Sequence, residues 1–327
     1  DIDAAPGLTV VQTGGSTSVN EASSGNTDTF TVVLTMQPSP SSNVVVNVTS
    51  ADTGEATVSA SSLTFTSSNW DTAQTVTVTG VEEDVDDGDQ TVALTIAVDD
   101  ASSYDPYDSV SNATVSVEVV DDDTIGFTLS GTTASVSETG STATFTVVLD
   151  SEPTGNVVFG ISSADTGEAT VSPSALTFMT SNWDTTQTVT VTGINDTATD
   201  GNQTTDVTVT VNDSSTADSA YDALSDRTVV VTTADDDSPG FTVAASGGST
   251  TVSEAGSTDT FTVVLNAQPT SDVVFNVSSA DTGEATVSTS SLTFTTSNWN
   301  TTQTVTVTGV DDTINDGDQS TTITVSV

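Results

Sequence analysis

The sequence predicts an all-β protein built from three tandem antiparallel β-sandwiches arranged end to end. Three observations support this prediction. A long motif occurs three times, apolar and polar residues alternate along short segments between turn residues, and no segment has a convincing helical period. Thr and Val dominate the alternating segments, and β-branched side chains of this kind favour extended backbone.

The repeated motif sets the number of units. The decapeptide SADTGEATVS occurs at 50–59, 163–172 and 279–288. Each copy precedes a near-identical segment with one tryptophan, so that successive tryptophans are 183 − 70 = 113 and 299 − 183 = 116 residues apart. This spacing is too long for a solenoid repeat and is close to one β-sandwich, at about 100 residues.

Two acidic linkers mark the boundaries between the units. The segments DDDTIGF and DDDSPGF lie at 121–127 and 235–241. The predicted domains are therefore 1–123, 124–237 and 238–327, called units one, two and three below. Such short linkers favour units that follow one another in line.

Within unit one, the alternation predicts individual strands. Phe30, Val32 and Leu34 share one face of an extended segment, while Thr29 and Thr31 point to the other face. Further segments of the unit show the same period of two, which is typical of strands buried on one side. Turn residues separate them. About seven strands per unit, in two packed sheets, predict an immunoglobulin-like sandwich.

Composition and charge exclude many functions. The chain has 327 residues, with 46 acidic and 1 basic side chain, no His and no Cys, and a formal net charge of −45. These counts exclude Ser-His-Asp and Cys-His catalysis, ordinary zinc sites and lysine chemistry. A chain with a single cation, Arg227, is not expected to bind nucleic acid or an anionic membrane surface. No apolar run reaches the roughly 20 residues that insert into a bilayer.

The remaining polar groups are carboxylates, hydroxyls and amides, which are the ligands of a hard cation such as calcium. Paired carboxylates such as Glu82 and Asp87 could in principle hydrolyse a glycoside. Three near-identical copies without a pocket-forming insertion argue against this, so we expect no enzyme activity.

Four motifs resemble a known family. SVNE, SADTG, GVEEDVDDGD and VVDDD occur in unit one in the order and spacing of the Calx-beta domain, and unit two repeats the set. Calx-beta domains occur in the regulatory region of sodium–calcium exchangers and in large bacterial surface proteins. The resemblance covers units one and two and most of unit three, and it is closer to the microbial extracellular variety.

In such a sandwich, alternate loops and the end of the last strand meet at one pole, and we call this end of each unit its acidic pole. Converging carboxylates repel one another, and calcium, with about six to eight oxygen ligands, relieves the repulsion. A solvated acidic surface is the alternative interpretation. The resemblance implies calcium ligands at Glu21, Asp52, Glu82, Glu83, Asp87, Asp121, Asp122 and Asp123; at Glu138, Asp165, Asp196, Asp200, Asp235, Asp236 and Asp237; and at Glu254, Asp281, Asp311, Asp312 and Asp316.

The later units depart from the pattern of unit one. Asn195 stands where unit one has Glu82, which predicts weaker or fewer ions in unit two. The given sequence ends at Val327, the counterpart of Val98, before a last strand and its acidic triplet. We therefore expect an incomplete site in unit three and a natural polypeptide that continues beyond this residue.

The leading functional hypothesis is a segment of a large extracellular or cell-surface protein, such as an adhesin or a surface filament. Its units would act as calcium-stiffened spacers that contact neighbouring repeats or like subunits, while other regions would bind a cell-surface or glycan ligand. One alternative is a self-assembling filament or surface-layer subunit. Others are a calcium-responsive regulatory module and a carbohydrate-binding module that stacks sugars on Trp70, Trp183 and Trp299, although an anchoring role for these tryptophans is favoured.

Overall fold

A computed structural model describes residues 5–22, 26–315 and 317–327. Within these ranges nearly all regular structure is β-strand, with five short 3-10 helices, which confirms the predicted fold class. The strands form six sheets, two for each predicted unit. None of the helices in the described ranges has the length and apolar character needed to cross a bilayer.

Unit one contains two packed sheets, with strand orders β1-β3-β7-β5 and β2-β9-β8-β4-β6. Its core lies between them and includes Phe30, Val46 and Phe65, all fully buried. The strands are β1 (Leu8–Gln12), β2 (Thr17–Asn20), β3 (Thr27–Leu34), β4 (Val44–Ser50), β5 (Ala56–Val58), β6 (Ser62–Phe65), β7 (Gln74–Gly80), β8 (Gln90–Val98) and β9 (Ala113–Val120).

The predicted seven or so strands become nine because two of them are broken. β1 and β2 are the two halves of one edge strand, which passes from the first sheet to the second at a turn. In this turn Gly14 (φ 73°) and Gly15 (φ 91°) adopt backbone angles that favour glycine. β5 and β6 are likewise separated by three residues. After the change of sheet, β2 runs parallel to β9, so one pair in the unit differs from the predicted antiparallel arrangement.

Unit two repeats this topology, with sheets β10-β12-β16-β14 and β11-β18-β17-β13-β15 and a parallel β11–β18 pair. Its strands are β10 (Phe127–Leu129), β11 (Thr133–Ser137), β12 (Thr142–Leu149), β13 (Val157–Ser163), β14 (Ala169–Ser172), β15 (Ala175–Phe178), β16 (Gln187–Gly193), β17 (Gln203–Val211) and β18 (Arg227–Ala234). It has its own core, which includes Phe159, Phe178 and Val191.

Unit three keeps the first sheet, β19-β20-β24-β22, but its second sheet contains only β23-β21-β25 among the described residues. Its separate core includes Phe275, Phe294 and Val305. The strands are β19 (Phe241–Ala245), β20 (Thr258–Leu265), β21 (Val273–Ser279), β22 (Ala285–Val287), β23 (Ser291–Phe294), β24 (Gln303–Gly309) and β25 (Ile323–Ser326).

The loop that follows the seventh strand of a unit contacts the next unit. After β7, the backbone oxygen of Asp84 accepts a hydrogen bond from the Glu152 N–H at 2.6 Å, and the Asp86 carboxylate accepts one from the Ile125 N–H at 2.7 Å. After β16, the Thr197 oxygen accepts one from the Gln268 N–H at 2.7 Å. Residues 84 and 197 are equivalent positions of the repeat, and so are residues 152 and 268. The same pair of positions therefore meets at both joints.

Candidate metal centre

The acidic pole of unit one is built by three segments that the sheets bring together. Glu21 follows β2, Glu83 and Asp87 lie in the β7–β8 loop, and an Asp triplet follows β9. The parallel β2–β9 pairing continues into the site, because the Glu21 N–H donates to the Val120 oxygen at 3.2 Å. This bond places Glu21 directly beside the start of the triplet.

Asp121 connects the triplet to the loop. Its carboxylate accepts hydrogen bonds from the Gly88 N–H at 2.7 Å and the Asp123 N–H at 2.8 Å. In unit two, Asp235 accepts the equivalent bonds from Gly201 and Asp237, both at 2.8 Å. The first Asp of each triplet therefore fixes the loop with its oxygens. The triplet residues that lie in the carboxylate groups are Asp121 and Asp123 in unit one, and Asp236 and Asp237 in unit two.

The carboxylates of unit one form two groups that share one residue. Glu21 groups with Asp121 and Asp123, and it also groups with Glu83 and Asp87. In each group the candidate ligand oxygens lie within 4.8 Å of one another. This spacing suits oxygens that bind one calcium ion at about 2.4 Å each.

Unit two also has two groups, but these share no residue. Glu138 lies with Asp236 and Asp237, and Glu168 lies with Asp196 and Asp200. Asn195 has no carboxylate and belongs to neither group of unit two. Its counterpart in unit one, Glu82, also lies outside the groups. The substitution of Asn195 for Glu82 therefore leaves the grouped carboxylates of unit two intact.

Several of these carboxylates are buried without a hydrogen-bond partner among the described residues. Glu21 is 0% exposed and Glu138 is 1% exposed. Both carboxylate oxygens of Glu21 lack a partner, and so does one oxygen in each of Glu55, Glu83, Glu138 and Glu168. A buried carboxylate with no partner is strongly destabilising unless it is protonated or neutralised by a cation.

Burial and neighbouring acidic groups also raise the pKa values of three of these carboxylates. Burial first, then a side-chain interaction with the adjacent Glu55 carboxyl and the charges of Glu55, Glu83 and Asp121, raises the pKa of Glu21 to about 8. Burial and neighbouring carboxylates, Asp87 first, raise the pKa of Glu83 to about 7. In unit two, burial and like charges raise the pKa of Glu138 to about 7.

No basic side chain is paired with these carboxylates in the part of the chain that the structure describes. Arg227 is the only basic side chain in the sequence, and its guanidinium carbon lies 4.7 Å from the centre of the Phe127 ring. The site thus offers only anionic oxygens, several of them buried and lacking a donor. This donor set fits a hard divalent cation such as calcium.

Half of the twenty predicted ligands lie in these groups. Those brought together are Glu21, Glu83, Asp87, Asp121, Asp123, Glu138, Asp196, Asp200, Asp236 and Asp237. Those the structure does not bring into a group are Asp52, Glu82, Asp122, Asp165, Asp235, Glu254, Asp281, Asp311 and Asp312. Asp316 lies outside the described residues.

The first acidic residue of each SADTGEATVS motif shapes a turn. The side chains of Asp52, Asp165 and Asp281 each accept a hydrogen bond from the glycine N–H two residues later, at 2.8 Å in every copy. The residue that faces the acidic pole in the same motif is the glutamate, Glu55 or Glu168. Sequence reasoning missed these glutamates, although an identical charged residue in all three copies was a visible signal.

The three tryptophan side chains pack against the sandwich cores. Trp70, Trp183 and Trp299 are partly buried against the three cores. Their backbone oxygens accept hydrogen bonds from Leu34, Leu149 and Leu265, at 3.2, 3.3 and 3.2 Å. These contacts support the favoured role of the tryptophans as anchors of the loop before the seventh strand.

Comparisons with known proteins find similarity only at the level of solved structures. No protein-family model and no curated protein sequence matches the chain. The calcium binding domain CBD12 of CALX1.1 matches with a TM-score of 0.30 and 16% identity, over 62% of this chain and 79% of that one.

Domains of a surface-layer protein match at a similar level. Domains 4 and 5 of the S-layer protein SbsC match with a TM-score of 0.30 and 15% identity, over 71% of this chain and all of that one. SbsC domains 1–6 match with a TM-score of 0.31 and 14% identity, over 99% of this chain and 40% of that one. At these scores the similarities carry no functional argument.

Proposed function

We propose that this chain is a calcium-binding structural segment of a large extracellular or cell-surface protein, in which its units act as rigid spacers. The observation that supports the proposal most directly is the pair of buried carboxylates Glu21 and Glu138, which have unpartnered oxygens inside all-acidic groups. In a chain with a single basic residue, a bound cation is the means of neutralising them while they remain ionised.

The proposed extracellular setting suits a calcium-dependent spacer. Extracellular calcium modules bind calcium at about 10⁻⁴–10⁻³ M, which matches calcium levels outside cells and not those in the cytosol. A structural role also fits the repetition, because units one and two carry the same kind of acidic pole without an added pocket-forming insertion.

The spacer role depends on the joints between units. The loop that carries Glu83 and Asp87 also supplies Asp84 and Asp86 to the contact with unit two. Likewise, the loop that carries Asp196 and Asp200 supplies Thr197 to the contact with unit three. A cation that holds these carboxylates would therefore also fix the loop residues that touch the next unit.

Calcium titration by calorimetry tests the proposal. We expect saturable calcium binding to the whole chain, with weaker magnesium binding because Mg²⁺ requires a tighter octahedral site. Glu21→Gln should reduce the bound calcium. Asp71→Asn, at an exposed acidic residue outside the groups, is the matched control and should leave binding unchanged. Absence of binding, or equal loss in both variants, would contradict calcium binding.

Solution scattering tests the spacer role separately. A sandwich with its loops is about 40 Å long on the strand rise of about 3.3 Å per residue, so three units in line should reach about 120 Å. We expect this maximum dimension with calcium and a broader distribution of shapes after chelation. Identical scattering in both conditions would contradict the spacer role while leaving calcium binding intact.

A further inference from the structure

The two joints between units are built from different kinds of residue. We call the contact between units one and two the first joint, and the contact between units two and three the second joint. At the first joint the touching residues are acidic on both sides, with Asp84 and Asp86 in unit one and Glu152 in unit two. At the second joint the same positions of the repeat hold the neutral residues Thr197, Thr199 and Gln268.

A further pair of equivalent positions beside the linkers shows the same change of charge. The Oδ1 atom of Asp150 accepts the Thr128 hydroxyl at 2.8 Å, and the Oδ1 atom of Asn266 accepts the Thr242 hydroxyl at 2.9 Å. Each also donates its backbone N–H to the oxygen of the linker glycine before it, at 3.0 and 2.9 Å. The hydrogen bonds at this position are therefore the same at both joints, while the charge is different.

The linkers differ in a way that matches the loops they touch. At the first joint the Asp86 carboxylate accepts the Ile125 N–H at 2.7 Å. The counterpart of Ile125 at the second joint is Pro239, which has no N–H to donate and fixes its backbone φ at about −65°. The counterpart of Asp86 is Thr199, so the carboxylate and its donor are both replaced.

The second joint is held by two backbone hydrogen bonds. The Gln268 N–H donates to the Thr197 oxygen at 2.7 Å, and the Gln268 oxygen accepts the Thr199 N–H at 3.2 Å. These bonds form a parallel β-bridge between Gln268 and Ala198. At the first joint, only one of the two bonds found among the described residues joins backbone groups, and the other ends on a carboxylate.

Carboxylates from both sides of the first joint lie close enough to interact. Burial raises the pKa of Tyr221 in unit two to about 12, and the charges of Asp218, Asp150 and Asp86 act in the same direction. Asp86 belongs to unit one, so carboxylates of two units act on one side chain. The single basic residue, Arg227, has its guanidinium over an aromatic ring of unit two, and one positive charge leaves the first joint strongly anionic.

We propose that the first joint is a hinge controlled by cations, and that the second joint stays stiff with or without them. Without cations, repulsion between the two sides of the first joint opposes the two hydrogen bonds that close it. Salt screens this repulsion, and calcium on the same loop neutralises the neighbouring carboxylates. The segment therefore bends at one place. This inference rests on the proposed spacer role, but the response to monovalent salt needs no calcium site.

Distances between pairs of spin labels, measured by double electron–electron resonance, follow each joint separately. The chain has no Cys, so pairs of Cys substitutions can be labelled uniquely. Thr64, Thr177 and Thr293 occupy the same repeat position in β6, β15 and β23, and all three are exposed. Labels at 64 and 177 report on the first joint, and labels at 177 and 293 report on the second.

The two distance distributions should respond differently to salt. In chelator with about 0.01 M potassium chloride, where the Debye length is about 30 Å, we expect the first distribution to be at least about twofold broader than the second. About 1 M potassium chloride, or calcium at low salt, should narrow the first and leave the second unchanged. Equal widths in every condition, or a second distribution that broadens with the first, would overturn the proposal. Calcium binding by calorimetry is independent of this result, so the two failures are distinguishable.

Exchange of residues between the joints is the matched control. Asp84→Thr with Asp150→Asn gives the first joint two neutral residues of the second, and Thr197→Asp with Asn266→Asp does the reverse, all at exposed positions. The first exchange should narrow the first distribution in low-salt chelator. The second exchange should broaden the second distribution and make it depend on salt. Asp84 and Asp150 lie outside the carboxylate groups found in the described residues, so the first exchange should leave calcium binding unchanged. Widths that ignore both exchanges would contradict control by charge.

Discussion

The glutamate after the first edge strand has a different environment in units one and three. Glu21 is 0% exposed, and its backbone N–H is bonded to Val120. Glu254 occupies the same repeat position and is exposed, in a segment that forms no strand. The local sequences SVNE and TVSE are similar, so the difference arises from the closing strand, which is present beside Glu21 and not beside Glu254. Burial of the candidate ligand is thus a tertiary property.

The largest expected difference between the units is in local stability. Amides of β25 and of 250–253 should exchange with solvent faster than those of β8 and β2, because β25 is an edge strand and 250–253 forms no strand. Hydrogen exchange on the 1–327 chain, with its monomeric state verified by ultracentrifugation, measures this. Equal protection in units one and three would contradict the expected difference in local stability.

Chelation should have the next largest effect, and it should act on units one and two. At a calcium concentration about 100 times the Kd, binding stabilises a folded unit by about 2.7 kcal/mol. For a unit of this size that corresponds to a Tm about 10 °C higher. Calorimetry should therefore show transitions that shift down after chelation and one, from unit three, that shifts little. A uniform shift of all transitions would show that Glu254 lies in a site equivalent to that of Glu21.

Matched substitutions should sharpen the contrast. Glu21→Gln should lower the Tm in calcium, because it removes a charged ligand, and should raise the Tm in chelator, because it removes a buried carboxylate without a partner. Glu254→Gln should change the Tm little in either condition, since Glu254 is exposed. The change of sign for Glu21 is the decisive feature, and a Glu21→Gln variant that is destabilised in both conditions would contradict a metal role.

The calcium-free protein should also depend on pH. The pKa of Glu21 is about 8 in the folded state and about 4.5 ordinarily, so between these values the folded state binds more protons than the unfolded state. In chelator, the contribution of Glu21 to stability should therefore be fully present below about pH 4.5 and be lost as pH rises through 8. Glu138, with a pKa of about 7, contributes in the same direction. A Tm in chelator that rises between pH 5 and 8 would contradict the burial of Glu21 and Glu138 in their protonated form.

In calcium the pH trend should reverse, because protons compete with the ion for the same carboxylates. Calcium affinity should therefore weaken as pH falls from 8 to 5. Calorimetric titrations at both ends of this range measure the effect, with the Asp71→Asn variant as a control that should follow the unmodified chain. A calcium affinity that does not depend on pH would indicate that ions bind only at exposed carboxylates.

The sequence by itself determined the repeat, the strand faces and the acidic pole. Alternation placed Phe30, Val32 and Leu34 in the core, because a period of two leaves a strand one buried face. The position of the triplet after the last strand also predicted that Asp121 and Asp123 lie at the same pole as Glu21, and the structure groups the three residues. These features are local, or follow from the order of strands in a sandwich.

Tertiary structure decided which carboxylates meet. Asp52 and Glu55 are three residues apart in one turn, yet the first caps a backbone N–H and the second faces Glu21. The parallel β2–β9 pair, which alternation cannot reveal, buries Glu21 beside the triplet, and its absence around Glu254 leaves that residue exposed. Side-chain direction within a turn and pairing between distant strands depend on contacts that no single segment contains, and they determine whether an acidic residue is a solvated charge or a buried ligand.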